Sequence, residues 1–136
     1  MGQQQLLLLV FGVILVGYAF VAGMQIFEKS SRQHDADLLL NRSIMIAHSA
    51  VAWKAQADPY VGGNASYSGL ADGGFEQLFL GEETETGIFQ ITRAVDDSLE
   101  LRAVSKRFPE VGIRVLVVDE EFNQTDIRFD GSIRLR

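Results

Sequence analysis

The sequence predicts an α+β protein, in which a long N-terminal α-helix, hydrophobic in its first half, packs by its C-terminal half against an antiparallel β-sheet head of about 4–5 strands. Three observations lead there. Leu6 to Phe27 carries no charge and only Gln25 as a strongly polar side chain. Glu28 to Ala57 holds neither proline nor glycine, so nothing in it stops a helix before Pro59. Beyond Gly87 the apolar residues change from helical spacing to the alternation of strands. The chain is accordingly divided into a short N-terminal segment (1–5), a hydrophobic helix half long enough to cross a membrane (6–27), an amphipathic helix half (28–57), a Gly-rich loop region (58–86) and an antiparallel β head (87–136).

Taken in order, the apolar segment is long enough to span a bilayer, since at about 1.5 Å per residue it reaches roughly 33 Å against a hydrocarbon core of about 30 Å. Only Met1, Gly2 and three glutamines precede it, so it lacks the basic start of an ordinary secretory signal. Its length also counts against cleavage after Val21-Ala22-Gly23. In the second helix half Leu40, Ile44, Ala47 and Val51 recur at i, i+4, i+7 and i+11, flanked by Leu39, Ile46, Ala50 and Trp53. That stripe is the expected seat of the head.

Tyr60 to Gly74, with its glycines, Asn64, Ser66, Ser68 and Asp72, has loop composition. Phe75 to Leu80 predicts one short helical turn before Glu82, Glu83 and Glu85. Gly87 to Val95 and Leu99 to Arg107 form a hairpin about Asp96-Asp97-Ser98. Ile113 to Val118 is mostly apolar and is expected centrally in the sheet, covered on both faces. Pro109 falls in the connection before it. Ile127-Arg128-Phe129 and Ile133-Arg134-Leu135 predict a second hairpin about Asp130-Gly131.

Composition narrows the function. A formal net charge of −6 argues against a nucleic-acid partner, which needs a basic face to displace counterions. Without cysteine the chain has neither disulfides nor thiolate metal sites. His34 and His48 lie about 21 Å apart by helical rise, too far to share a metal within one chain. Asp35 and Asp37 beside His34 read as solvated helix residues. Asp119, Glu120, Glu121, Asp126 and Asp130 match no calcium loop and read as solvated acidic loops. No nucleophile elbow, P-loop or catalytic triad spacing is present, so no enzyme, cofactor or resident metal is expected. Asn41, Asn64 and Asn123 each begin an N-x-[ST] sequon, and Asn64, in the loop, is the most accessible candidate for glycosylation.

With these pieces in place, the layout resembles the type IV pilin and pseudopilin family, including its archaeal-style relatives. The matching parts are Met1-Gly2 as a short leader ending in Gly, Gln3 as the first mature residue, Leu6 to Phe27 as the half buried in a filament, and Glu28 to Ala57 as the half that seats the head. The resemblance is architectural, spans the whole chain and rests on a short motif. It implies processing between Gly2 and Gln3 and a filament core of Leu6, Leu9, Phe11, Val13, Val16 and Phe20. It also implies a single-pass precursor in the cytoplasmic membrane, which pilus-type assembly machinery builds into an extracellular helical polymer of the chain itself. The chain departs from the family at Leu7, the fifth residue from Gln3, where bacterial members usually place a glutamate. Its leader also lacks the usual basic residues.

No carboxylate precedes Glu28, so helix register falls to shape packing and to Gln3, Gln4 and Gln5. Their amides either bond between helices, for about 0.6–2 kcal/mol each, or rest in the headgroup layer. Ala19 and Gly23 permit close helix approach, or reflect the ordinary tolerance of membrane helices for small residues. Two other readings compete: a single-pass membrane-anchored binding or sensing module, and a pseudopilin of a secretion system.

Overall fold

A computed structural model describes residues 2–56, 62, 65–71 and 74–135. Helix α1 runs Gly2–Ala55, a single 3₁₀ turn covers Ser68–Leu70, and helix α2 covers Gly74–Gln77. Strands β1 Gly87–Ala94, β2 Ser98–Ser105, β3 Gly112–Val118 and β4 Glu121–Arg128 form one antiparallel sheet in the order β1-β2-β3-β4. The chain divides into two compact units, Met1–Gln33 and His34–Arg136.

The first unit is helix throughout its described length. Nothing in it breaks the backbone ladder, and near its end Glu28 and Arg32, one turn apart, form an exposed ion pair at 2.9 Å. The second unit is the α+β head. Its helical part, His34–Ala55, buries Asp35, Ala36, Leu39, Ser43, Ile46, Ala47, Ala50 and Trp53. These positions recur every three or four residues and make one face, which packs on the inner side of the sheet. From the sheet come Phe89, Leu99, Leu101, Ala103, Ile113, Val115 and Val117, while Tyr67, Leu70, Phe75 and Val111 complete the core. Gly87 lets the helix approach closely, because a Cβ there would stand 2.5 Å from Leu39 Cδ2 and 2.6 Å from the Val104 carbonyl.

The buried seam is centred on Leu39, Ser43, Ile46 and Ala50, with Ala47 inside it. Leu40, Ile44 and Val51 are half-buried at its border. The displacement has a physical cause: Ala36, Ser43 and Ala50 are small, and small residues at a close helix–sheet contact carry little hydropathic signal.

The first hairpin forms as expected, closed by the Val95 N–H donating to the Ser98 carbonyl at 2.9 Å. β2 alternates strictly between buried and half-exposed residues. β3 lies inside the sheet with β2 and β4 on either side, but only its inner face is fully buried. Arg114, Leu116 and Val118 on the outer face are half-exposed. Pro109 lies in the β2–β3 connection. The predicted turn at Phe75 to Leu80 is α2 followed by a left-handed residue, Phe79, at φ 57°.

The second predicted hairpin is replaced by a different arrangement. Strand β4 begins at Glu121, within the stretch read as acidic loop, and turns from β3 through Asp119 at φ 57°. Ile133 to Leu135 is not a strand. The tail instead turns at Gly131, whose φ of 76° suits glycine and whose N–H donates to the Glu110 carbonyl at 3.0 Å. It crosses the outer face of the sheet, where Ile133 is buried over Gly112 and the Arg134 carbonyl accepts from Arg102 Nη1 at 3.2 Å. A Cβ on Gly112 would stand 2.8 Å from that of Ile133. β4 looked like loop because an edge strand carries polar and charged residues.

Candidate membrane and assembly surface

The helical half Leu6 to Phe27 presents large apolar side chains in every direction. Leu6, Leu9, Phe11, Val13, Val16 and Phe20 are all exposed, each by 60% or more. Helical geometry spreads them around the axis, so no single sheet or helix from the same chain can cover them. An 18-residue window of this helix has a mean hydropathy of 2.6 and none of it is buried. It therefore meets the length and composition of a membrane-crossing helix, which an anchor and a signal sequence share. Gln3, Gln4 and Gln5 are exposed on its first turns, as is Gly2, whereas Met1 lies outside the described residues.

The head is fastened to its own helix at two places. At one, Asp35 is buried and accepts from Ser105 Oγ at 3.0 Å and from Arg107 Nη2 at 3.1 Å. Ser105 Oγ in turn accepts from the Phe108 N–H at 3.2 Å, which orders the start of the β2–β3 connection. A carboxylate is tolerated there because both its oxygens are bonded and it has a guanidinium partner. Asp35 is thus a clamp, not the solvated residue its sequence context suggests. The only signal for it was an acidic residue one position from the apolar face, which many solvated residues share.

At the other place the last turn of α1 meets the β3–β4 turn. Lys54 Nζ donates to the Asp119 carbonyl at 3.4 Å and lies 4.7 Å from the centre of the Tyr67 ring. The Tyr67 hydroxyl donates to the same carbonyl. Burial, and then the charges of Glu120 and Asp119, hold the Tyr67 phenol above the ordinary tyrosine value. The Ala65 N–H donates to the Lys54 carbonyl at 2.8 Å and so satisfies one orphan carbonyl of the helix end.

On the outer face of the sheet Arg102 and Arg114 are cross-strand partners, each held by a carboxylate: Glu100 at 2.8 Å and Asp126 at 2.6 Å. The Arg114 guanidinium lowers the Asp126 pKa. Among the described residues no three His, Cys, Asp or Glu side chains are placed to hold a metal ion. His34 lies beside Glu85 and Arg107 in a shallow hollow, whereas His48 packs edge-on against Phe122, with ring centroids 5.0 Å apart. Of the three sequons, Asn64 lies outside the described residues. Asn41 is exposed on α1 but its Ser43 is buried, and Asn123 and Thr125 are both exposed on β4.

No family model matches the sequence, no curated protein is significantly similar to it, and no solved structure matches its fold.

Proposed function

We propose that this chain is a structural subunit of an extracellular type IV pilus-like filament, held in the cytoplasmic membrane by Leu6 to Phe27 before it assembles. The observation that carries the reading is the contrast along α1 between apolar side chains exposed on all sides and a half that seats a folded head. Such a surface needs lipid or other helices around it. In a polymer the helices of neighbouring copies replace lipid, with Leu6, Leu9, Phe11, Val13, Val16 and Phe20 as the packed surface and Gln3, Gln4 and Gln5 bonding between copies near the N-terminus.

Extraction from lipid costs the chain its apolar contacts until neighbouring copies restore them, so assembly is coupled to a motor of the pilus type. Asp35 and Lys54 fasten the sheet to the His34–Ala55 part of the helix, so the head keeps its seat during assembly. The same exposed apolar half equally suits a single-pass anchor for a binding module, which would leave the chain monomeric in the membrane.

Negative-stain microscopy of material sheared from the cell surface, with N-terminal mass analysis of the chain, separates the two. Thin filaments containing the chain are expected, with Gln3 as first residue if the leader is removed. Recovery of the chain only as a membrane-bound monomer would reject the filament reading.

A further inference from the structure

We infer that β4 is a self-complementary edge through which two copies of this chain pair, antiparallel, into one continuous sheet. β4 is hydrogen-bonded to β3 alone, so among the described residues its other edge is unpaired. It is eight residues long, contains no proline, and exposes every side chain except the half-buried Asp126. An edge of this kind is a template for another strand.

The occupant follows from the pattern on β4 itself. Leu116 pairs with Gln124 and Val117 with Phe122, which leaves Asn123 as an extra, bulged residue. Phe122, Thr125 and Ile127 consequently share the inner face of the sheet, because their partners Val117, Val115 and Ile113 are the buried residues of β3. Glu121, Gln124, Asp126 and Arg128 share the outer face.

When a second β4 is laid antiparallel beside the first with Thr125 opposite its own copy, Gln124 meets Asp126, Phe122 meets Ile127 and Glu121 meets Arg128. Every pair joins residues of the same face. This holds only because the bulge at Asn123 shifts the alternation by one; an unbulged strand would set Phe122 and Ile127 on opposite faces.

The chemistry of each pair is complementary. Glu121 and Arg128 make no ion pair with another of the described residues, while Arg114 already holds Asp126. Arg128 acts on Asp126 and Asp130 only through space, and two-fold pairing would give it and Glu121 a directly opposed partner of opposite charge, twice. Phe122 and Ile127 are each 38% exposed, and each would be covered by the other's copy. A strand of unrelated sequence would satisfy the backbone but not these pairs, so a second copy is the partner that the edge fits.

The symmetry of the pairing sets its place. Its two-fold axis stands perpendicular to the sheet, and the His34–Ala55 helix lies along the sheet face. The two copies of that helix therefore run in opposite directions. The pairing cannot be a contact inside a bundle of parallel helices, and instead joins heads from two separate assemblies or two facing surfaces. It does not depend on the filament reading.

The test uses the full chain in detergent, with single cysteines introduced into a sequence that has none. Thr125→Cys should form disulfide-linked dimers under mild oxidation, since directly opposed antiparallel residues lie about 4.5–5.5 Å apart at Cα, within disulfide range. Gln77→Cys, exposed on α2, is the control for collision and should cross-link about tenfold less. In the Thr125→Cys background, Glu121→Arg should reduce the dimer about tenfold, and adding Arg128→Glu should restore it. Cross-linking of Thr125→Cys no greater than that of the control, or failure of the double charge reversal to restore it, would overturn the proposal. Filaments seen in the same preparations would leave the filament reading intact in either case.

Discussion

Along α1 the backbone is the same from end to end, yet Leu9, Val16 and Phe20 remain about two-thirds exposed while Leu39, Ile46 and Ala50 lose all contact with solvent. The two regions differ in how their apolar residues are arranged. In the first they surround the axis; in the second they form a seam with Asp37, Asn41 and His48 outside it. One sheet can cover a seam but never a full circumference. The second region completes its burial within the chain, whereas the first stays exposed on all sides and has the length and composition of a membrane anchor or a signal sequence.

The largest expected effect tests the first region. Val16→Asp places a carboxylate at the centre of the apolar half at a cost of about 2.5 kcal/mol or more. Stable membrane insertion and filament assembly should both be lost, as read by alkaline extraction and by microscopy; normal filaments from this variant would refute the core role of the segment. Leu39→Ala comes next, with an expected loss of about 2–5 kcal/mol of head stability, because Leu39 is fully buried. Urea unfolding followed by the fluorescence of Trp53, the sole tryptophan, measures it.

Asp35→Ala should cost about 1–3 kcal/mol in the same assay, chiefly because the buried Ser105 hydroxyl loses its acceptor. Leu40→Ala should cost only about 1 kcal/mol, since its side chain is half-buried. Equal losses for Leu39→Ala and Leu40→Ala would move the centre of the seam toward the stripe read from periodicity.

The smallest effect is alkaline. Tyr67 is raised above the ordinary tyrosine value of about 10, so its neutral form is the one the fold favours. Its contribution is complete below that value and is lost as pH rises through the folded-state pKa. An absorbance titration should show a late-ionising component that is lost in Tyr67→Phe.

The legibility of these features follows their range. The helix, the apolar half, the first hairpin and the inner position of Ile113 to Val118 could be read from the sequence because each rests on contiguous residues and a local period. Periodicity sets the seam about one residue away from its true centre, since it weighs Leu40, Ile44 and Val51 more heavily than Ser43 and Ala50. The role of Asp35 is not legible in the sequence because its partners Ser105 and Arg107 lie about seventy positions along the chain. β4 is hidden in the sequence because Glu121 to Asp126 is mostly polar, and a polar strand is recognisable only once a neighbour such as β3 offers it an edge.

The sequence by itself determined an uninterrupted helix with two kinds of surface, an acidic chain without cysteine, and a β-rich C-terminal region. Hydropathy, chain breakers and charge act over a few residues, and those properties need no partner to be expressed. Tertiary structure alone decided which helix residues face the sheet, that Asp35 is buried in a bonded clamp, that the C-terminal tail crosses over Gly112, and that a bulge at Asn123 aligns the faces of β4. Each of these depends on what a distant segment places opposite it, and burial and strand register exist only between segments.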